Sequence, residues 1–68
     1  MRTVAISDDA IRLGQFLKLA GLADSGADAK VELLGGRVEV NGATERRRGR
    51  QLVRGDTVRR GADTVMVG

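Results

Sequence analysis

Residues 3 to 6, Thr-Val-Ala-Ile, form a short β-prone run that stops at the polar group Ser7, Asp8 and Asp9, which predicts a strand leading into a turn. From Leu13 the period changes. Leu13, Phe16, Leu17 and Ala20 fall at i, i+3, i+4 and i+7, the stripe of a helix of about three turns that Gly21 is placed to end. Leu22 then opens a connection to Ser25, whose hydroxyl can cap a second helix, with Asp28 three residues on as a carboxylate variant of the capping box. This helix should reach Leu34 and stop at Gly35 and Gly36. It is apolar on two sides, with Ala27, Val31 and Leu34 on one stripe and Ala29 and Leu33 roughly opposite, which predicts a place between the first helix and a sheet.

Beyond the glycines, Arg37-Val38-Glu39-Val40 alternates with period two, and Asn41-Gly42 supplies the two positive φ angles of a type I′ turn. A return strand over Ala43 to Arg46 should follow, then a charged loop from Arg47 to Arg50, after which Leu52 and Val53 should plug the core. Gly55-Asp56-Thr57-Val58 and Ala62-Asp63-Thr64-Val65 repeat a turn-then-strand pattern seven residues apart, a closing hairpin too short to be a repeat array. The predicted class is α+β: an N-terminal strand, two packed helices, then a small antiparallel sheet of hairpins, in one domain over residues 1–68 with no linker.

Composition narrows the chemistry. A 68-residue chain buries only about 60% of the surface its unfolded form exposes, so its stability should be modest. Without Cys or His it has no disulfide framework, no thiolate or imidazole metal site and no Ser-His or Cys-His catalysis, so neither metal nor cofactor is expected and a self-contained enzyme is disfavoured. The net charge of +3 is unevenly placed. Residues 1 to 45 hold five bases against seven acids, whereas residues 46 to 60 hold seven Arg against Asp56 alone. Clustered cations that displace counterions from phosphates suggest a polyanion, and ten of the twelve bases are Arg, whose planar fork fits phosphate bidentately. No apolar run approaches the ~20 residues of a membrane span, and no basic-then-apolar leader is visible, so a cytoplasmic protein without membrane contact is expected.

The order Arg12-Leu13, Leu17, Gly21-Leu22, Ser25, Ala29, Leu33, Gly36, Val38, Val40, Asn41-Gly42, then Gly55-Asp56-Thr57-Val58 resembles the S-four type RNA-binding domain, or alpha-L RNA-binding motif. The strings Leu13-Gly14-Gln15-Phe16-Leu17-Lys18 and Arg47-Arg48-Gly49-Arg50-Gln51-Leu52 are similar to the small stand-alone bacterial subfamily known as YbcJ-like. The resemblance implies a two-helix unit on a small antiparallel sheet that binds structured RNA and associates with ribosomes. Two positions depart from the family pattern: Gly26 stands where most members carry Arg after the capping Ser, and Glu32 where an apolar residue is usual, to be left exposed or paired with an Arg.

Four guanidinium groups at Arg46, Arg47, Arg48 and Arg50 repel one another and need an anion to hold one arrangement. Pairing with Glu45, Glu39 or Asp56 is the competing account; exposed pairs worth ~0 to 1 kcal/mol should not occupy all four. At the start of the second helix, the free N–H groups of Ser25, Gly26 and Ala27 form an anion site if Ser25 does more than cap its helix. Lys18, Lys30 and Arg12 border the same groove if the helices pack as the family's do, and Arg37 could reach that face from its strand. Asn41 at the hairpin tip could touch a 2′-hydroxyl or a base edge, although its turn role alone explains it. Arg59 and Arg60 are adjacent on a strand, so at most one can join the patch. Phe16, the only aromatic, lies on the apolar stripe and belongs to the core, which leaves no stacking platform for single strands.

The expected function is therefore a non-enzymatic, monomeric RNA-binding module that docks structured or double-stranded RNA, ribosomal RNA foremost, and takes no small-molecule substrate. Three other readings compete. A small helix-turn-helix DNA-binding protein is ranked lower because Asp28 and Glu32 are expected to face outward toward phosphates. A ubiquitin-like sulfur carrier shares Val-Asn-Gly and Gly-Asp-x-Val strings, but needs a flexible Gly-Gly tail where this chain has Val67-Gly68. The third is a protein acting mainly through protein contacts within an assembly, with the Arg loop meeting an acidic surface.

Overall fold

The computed structural model describes residues 1–68 and contains β1 (Arg2–Val4), β2 (Ala10–Arg12), α1 (Leu13–Leu19), α2 (Gly26–Leu34), β3 (Val38–Val40), β4 (Ala43–Thr44), β5 (Gln51–Val53), β6 (Thr57–Arg60) and β7 (Asp63–Val67). β1, β7, β6, β3 and β4 form one sheet in that order, and β2 pairs with β5 in a separate antiparallel ribbon. The α+β class and the two-helix unit hold. No helix is long and apolar enough to cross a membrane.

Local signals are realised where they were strongest. Ser25 Oγ accepts from the Asp28 N–H at 3.1 Å, and the Asp28 carboxylate reaches back to the Asp24 N–H at 3.0 Å, so the first turn of α2 is capped reciprocally. Asn41 and Gly42 take φ of 52° and 86°, the mirror-image turn that suits strand twist, and place Val40 opposite Ala43. β6 and β7 form the closing hairpin, with Val58 opposite Val65. Period-two alternation sends Val38, Val40, Val58, Val65 and Val67 inward, where they meet Leu13, Phe16, Leu17 and Leu33 from the helices and Leu52 from β5.

Four details differ from the sequence reading. β1 covers Arg2–Val4 instead of residues 3 to 6 and runs parallel to β7, making the sheet mixed; alternation tells which face a residue takes, not the direction of a partner some 60 residues away. Residues 10 to 12 form an additional strand, since pairing with β5 gives their backbone groups partners that three residues cannot supply themselves. The return strand ends at Thr44 instead of Arg46: the Glu45 N–H still bonds Val38, but the Glu45 carboxylate captures the next two N–H groups and turns the chain out of the sheet. Val53 is exposed, and only Leu52 plugs the core.

The second helix is not enclosed on both sides. Ala29, Glu32 and Leu33 are buried, whereas Val31 and Leu34 are 60% and 63% exposed and Ala27 is also outward. One layer of core covers one face of α2, and no further layer lies beyond it. The reading of Asp28 and Glu32 as outward is likewise overturned, because Asp28 is the half-buried cap and Glu32 turns inward to Arg60 and Arg37.

Phe16 is fully buried, which settles it as a core side chain. Truncation to alanine should cost ~3 to 5 kcal/mol, against ~3 to 10 kcal/mol of total stability for a domain this small. Thermal unfolding of Phe16→Ala followed by circular dichroism should therefore show a midpoint lowered by about 12 to 40 °C; a near-normal transition would remove the ring from the core.

Candidate nucleic-acid interface

The charged segment Arg46–Arg50 leaves β4 and enters β5, whose partner β2 runs directly into α1. This connectivity lays the segment across the start of α1. Arg12 caps that helix without a side-chain hydrogen bond. Its open N–H groups are met by the segment itself: Leu13 donates to the Arg50 carbonyl at 2.8 Å and Gly14 to the Arg48 carbonyl at 3.0 Å. A β-carbon at residue 14 would lie 2.5 Å from Cγ of Arg48, so Gly14 is what permits this close approach.

Glu45 holds the segment from the other side. It is only 8% exposed. Its Oε2 accepts from the Arg46 N–H, the Arg47 N–H and Arg47 Nε at 3.1 to 3.2 Å, and its Oε1 from Arg47 Nη2 and Arg50 Nη1 at 3.1 Å. The Arg47 side-chain bonds, followed by the Arg47 backbone N–H, lower the Glu45 carboxyl to about 2, with Arg50 adding to the shift.

The basic residues separate by whether a carboxylate faces them. Arg2 pairs with Asp63, Arg37 and Arg60 with Glu32, Arg47 and Arg50 with Glu45, Arg54 with Asp9, and Arg59 with Glu39. Five bases have no such partner: Arg12, Lys18, Lys30, Arg46 and Arg48. Arg12, Lys18 and Arg48 line a single cleft of about 320 Å³ with Gly14, Gln15, Gly26, Ala29 and Gly49. Its only hydrophobic residue is Ala29, and glycines form much of its wall. The N–H of Gly26, at the positive end of α2, is bonded to nothing in the protein, and Gly26 lines the cleft. Such a cleft can take anionic oxygens from three cations without a competing carboxylate on its lining.

The other candidate residues lie elsewhere or are engaged. Ser25 caps α2 beside the cleft without lining it. Lys30 stands one turn along from Gly26, exposed and outside the cleft. Arg46 is also exposed, with its guanidinium against Gly36 at the far end of α2. Arg47 and Arg50 are held by Glu45, although the Arg47 side chain remains 77% exposed. Arg37 is not on a strand but one residue before β3; it pairs with Glu32 at 3.4 Å in a second cleft shared with Glu39, Arg59 and Arg60, where every guanidinium faces an acid. The hydrogen bond from Arg60, helped by Arg37, keeps the Glu32 carboxyl below the usual carboxylate range despite its desolvation. The Asn41 amide donates to Asp56 at 3.1 Å and its oxygen accepts from the Thr57 N–H at 2.9 Å, which locks the hairpin tip to the turn before β6. Asp56 is held low chiefly by the Val53 N–H it accepts, with Asn41 contributing.

The sequence reading missed Gln15 and Gly49 as lining residues and the role of Gly14. The available signal was that Gly14 is a poor helix former in a first turn otherwise built of Leu, Gln and Phe.

A family model described as S4 domain matches residues 4–68. The chain is 47% identical over 55 residues to a Bacillus subtilis (strain 168) protein named "Probable ribosome maturation protein RlbA", covering 81% of this chain and 78% of that one. It is 40% identical over 57 residues to YbcJ of Escherichia coli (strain K12), covering 84% and 81%. A solution structure of YbcJ from E. coli, described as revealing an alfaL motif involved in RNA-binding, superimposes with a TM-score of 0.74 at 37% identity, over 98% of this chain and 86% of that one.

The depressed Glu45 carboxyl makes the segment acid-sensitive. A folded-state value below the unfolded one contributes stability that is fully present above the ordinary carboxylate range and is lost as pH falls from about 4.5 toward about 2. Glu45→Gln should lower the unfolding temperature at pH 7 by on the order of 10 °C. The gap to the parent protein should narrow below about pH 4 and close near about pH 2; a gap independent of pH in a calorimetric series would contradict the pairing.

Proposed function

The chain belongs to the S4 domain family, and on that premise we propose that it is a non-enzymatic, cytoplasmic RNA-binding protein that docks folded RNA, ribosomal RNA foremost, through the cleft of Arg12, Lys18 and Arg48. The observation that carries this reading is the sorting of charge: three of the five bases left without a carboxylate converge on one cleft. Phosphate oxygens supply the missing anions, and the open N–H of Gly26 adds a donor at the same edge. The family Arg after the capping Ser is replaced by Gly26, which exchanges a side-chain cation for closer approach to that N–H.

No aromatic ring lines the cleft, and Phe16 is sealed in the core. Recognition therefore rests on backbone position and shape, the mode suited to folded or double-stranded RNA, with weak sequence preference. The name of the Bacillus subtilis relative supports a ribosomal target. Arg46, Arg47, Arg50, Lys30 and Ser25 flank this contact, while Arg37 and Asn41 are engaged within the protein.

DNA reading by α2 is disfavoured on new grounds. Its outward residues are Ala27, Lys30, Val31 and Leu34, and only Lys30 can hydrogen-bond a base edge. A sulfur carrier is disfavoured because the family that the chain matches over residues 4–68 is the S4 domain.

Three phosphate contacts imply a log-log salt slope of about −2 to −3 for binding to an RNA hairpin. Arg48→Gln should weaken binding and reduce the slope by about one, whereas Arg47→Gln should leave it nearly unchanged. Equal effects of the two in a fluorescence anisotropy salt series would refute the cleft. Gly14→Ala separates position from charge: its methyl would lie 2.5 Å from Arg48 Cγ, so Arg48 must shift and RNA affinity should fall although no charge is removed.

A further inference from the structure

The outer face of α2 combines two features the RNA cleft does not use. Ala27, Val31 and Leu34 form an exposed apolar strip at i, i+4 and i+7, and Val31 and Leu34 are the large members. Lys30 and Arg46, the two unpaired bases outside the cleft, stand at its margins: Lys30 lies one turn before Leu34, and the Arg46 guanidinium rests against Gly36, just past the helix end. Arg37 adds a third cation at that end, its guanidinium lying over Gly35 and sharing Glu32 with Arg60. The acids of α2 are turned away, Asp28 into the cap and Glu32 into the protein.

We propose that this face is a docking surface for an acidic amphipathic segment of a partner protein, which seats apolar side chains on Val31 and Leu34 and carboxylates on Lys30 and Arg46. Charge decides among the occupants. In a symmetric pair of identical chains, each strip would bring its own basic margin against the other's, so like charges would oppose. RNA matches the bases but gains nothing from covering Val31 and Leu34, because phosphate is strongly hydrated and no aromatic platform is present for a base. An acidic apolar helix satisfies both features, in the manner of helix-to-helix recognition. The face is short, so the contact is weak and works beside the RNA contact of the same molecule.

The test uses the intact 15N-labelled chain and a helical peptide of about 15 residues with Leu along one face and Glu on the others. Amide shifts should be confined to residues around Ala27, Lys30, Val31, Leu34 and Arg46. Leu34→Ser should weaken binding by about tenfold, and Lys30→Glu by about threefold. Leu34 is mostly exposed, so its variant keeps the fold, which the spectrum itself reports. The proposal is overturned by absence of binding, by equal binding of a peptide with Lys in place of Glu, or by shifts centred on Arg12 and Arg48. It is equally overturned if α2 resonances move with protein concentration alone, which would identify a second copy, or if an RNA hairpin shifts Val31 and Leu34 as the peptide does, which would identify RNA; shifts at Lys30 and Arg46 alone are those of residues flanking the RNA contact and leave the peptide's effect on Val31 and Leu34 as the deciding readout. A chain that binds the peptide but no RNA would uphold this surface and refute the cleft, so the two readings fail separately.

Discussion

The Glu45 carboxylate lies almost out of water against Arg46, Arg47 and Arg50, and the basic segment is arranged around it. Removing a charge from solvent is unfavourable unless donors replace the lost hydration. Here five do, two from the backbone and three from guanidinium groups. The backbone donors turn the chain out of the sheet, and the side-chain donors bind Arg47 and Arg50 to the same point. Arg48 lies between them and faces the opposite way, toward α1, where its carbonyl receives the Gly14 N–H. A segment that reads as a uniform run of positive charge is thus divided residue by residue into members that stabilise the loop and one that enters the cleft.

The sheet supplies the platform on which this division is kept. Asn41-Gly42 and Gly55-Asp56 look like independent turn signals, yet their side chains bind each other, and Asp56 also accepts from the Val53 N–H. The end of β5 is thereby fixed relative to the β3–β4 hairpin. Because β5 holds β2, and β2 continues into α1, the position of Arg12 depends on turns far from it in sequence.

Elements with local chemistry were legible: the Ser25 cap, the Asn41-Gly42 turn, the stripe of α1 and the β6–β7 hairpin all depend on residues within a few positions of one another. The parallel pairing of β1 was not, since its partner lies at the other end of the chain. The outward strip of α2 was misread because apolar character marks what a residue tolerates, while burial is decided by whether a second layer exists. The site shows the same split. Arg12, Lys18 and Arg48 were visible as bases, but which bases remain unpaired depends on contacts such as Arg60 with Glu32 and Arg59 with Glu39, which only the folded sheet creates. Glu45 was the exception, close enough in sequence to be considered as a partner, though its near-complete burial was not foreseeable.

The first turn of α1 has no cap of its own; its amides close onto carbonyls some 35 residues later. The helix and the basic loop therefore order together, each supplying the other's missing hydrogen-bond partners. An excised helical hairpin lacks those carbonyls, and a fragment beginning after α2 lacks the amides. The basic cleft is in this sense a property of the assembled chain, which a partly folded form would not carry into a crowded polyanionic environment.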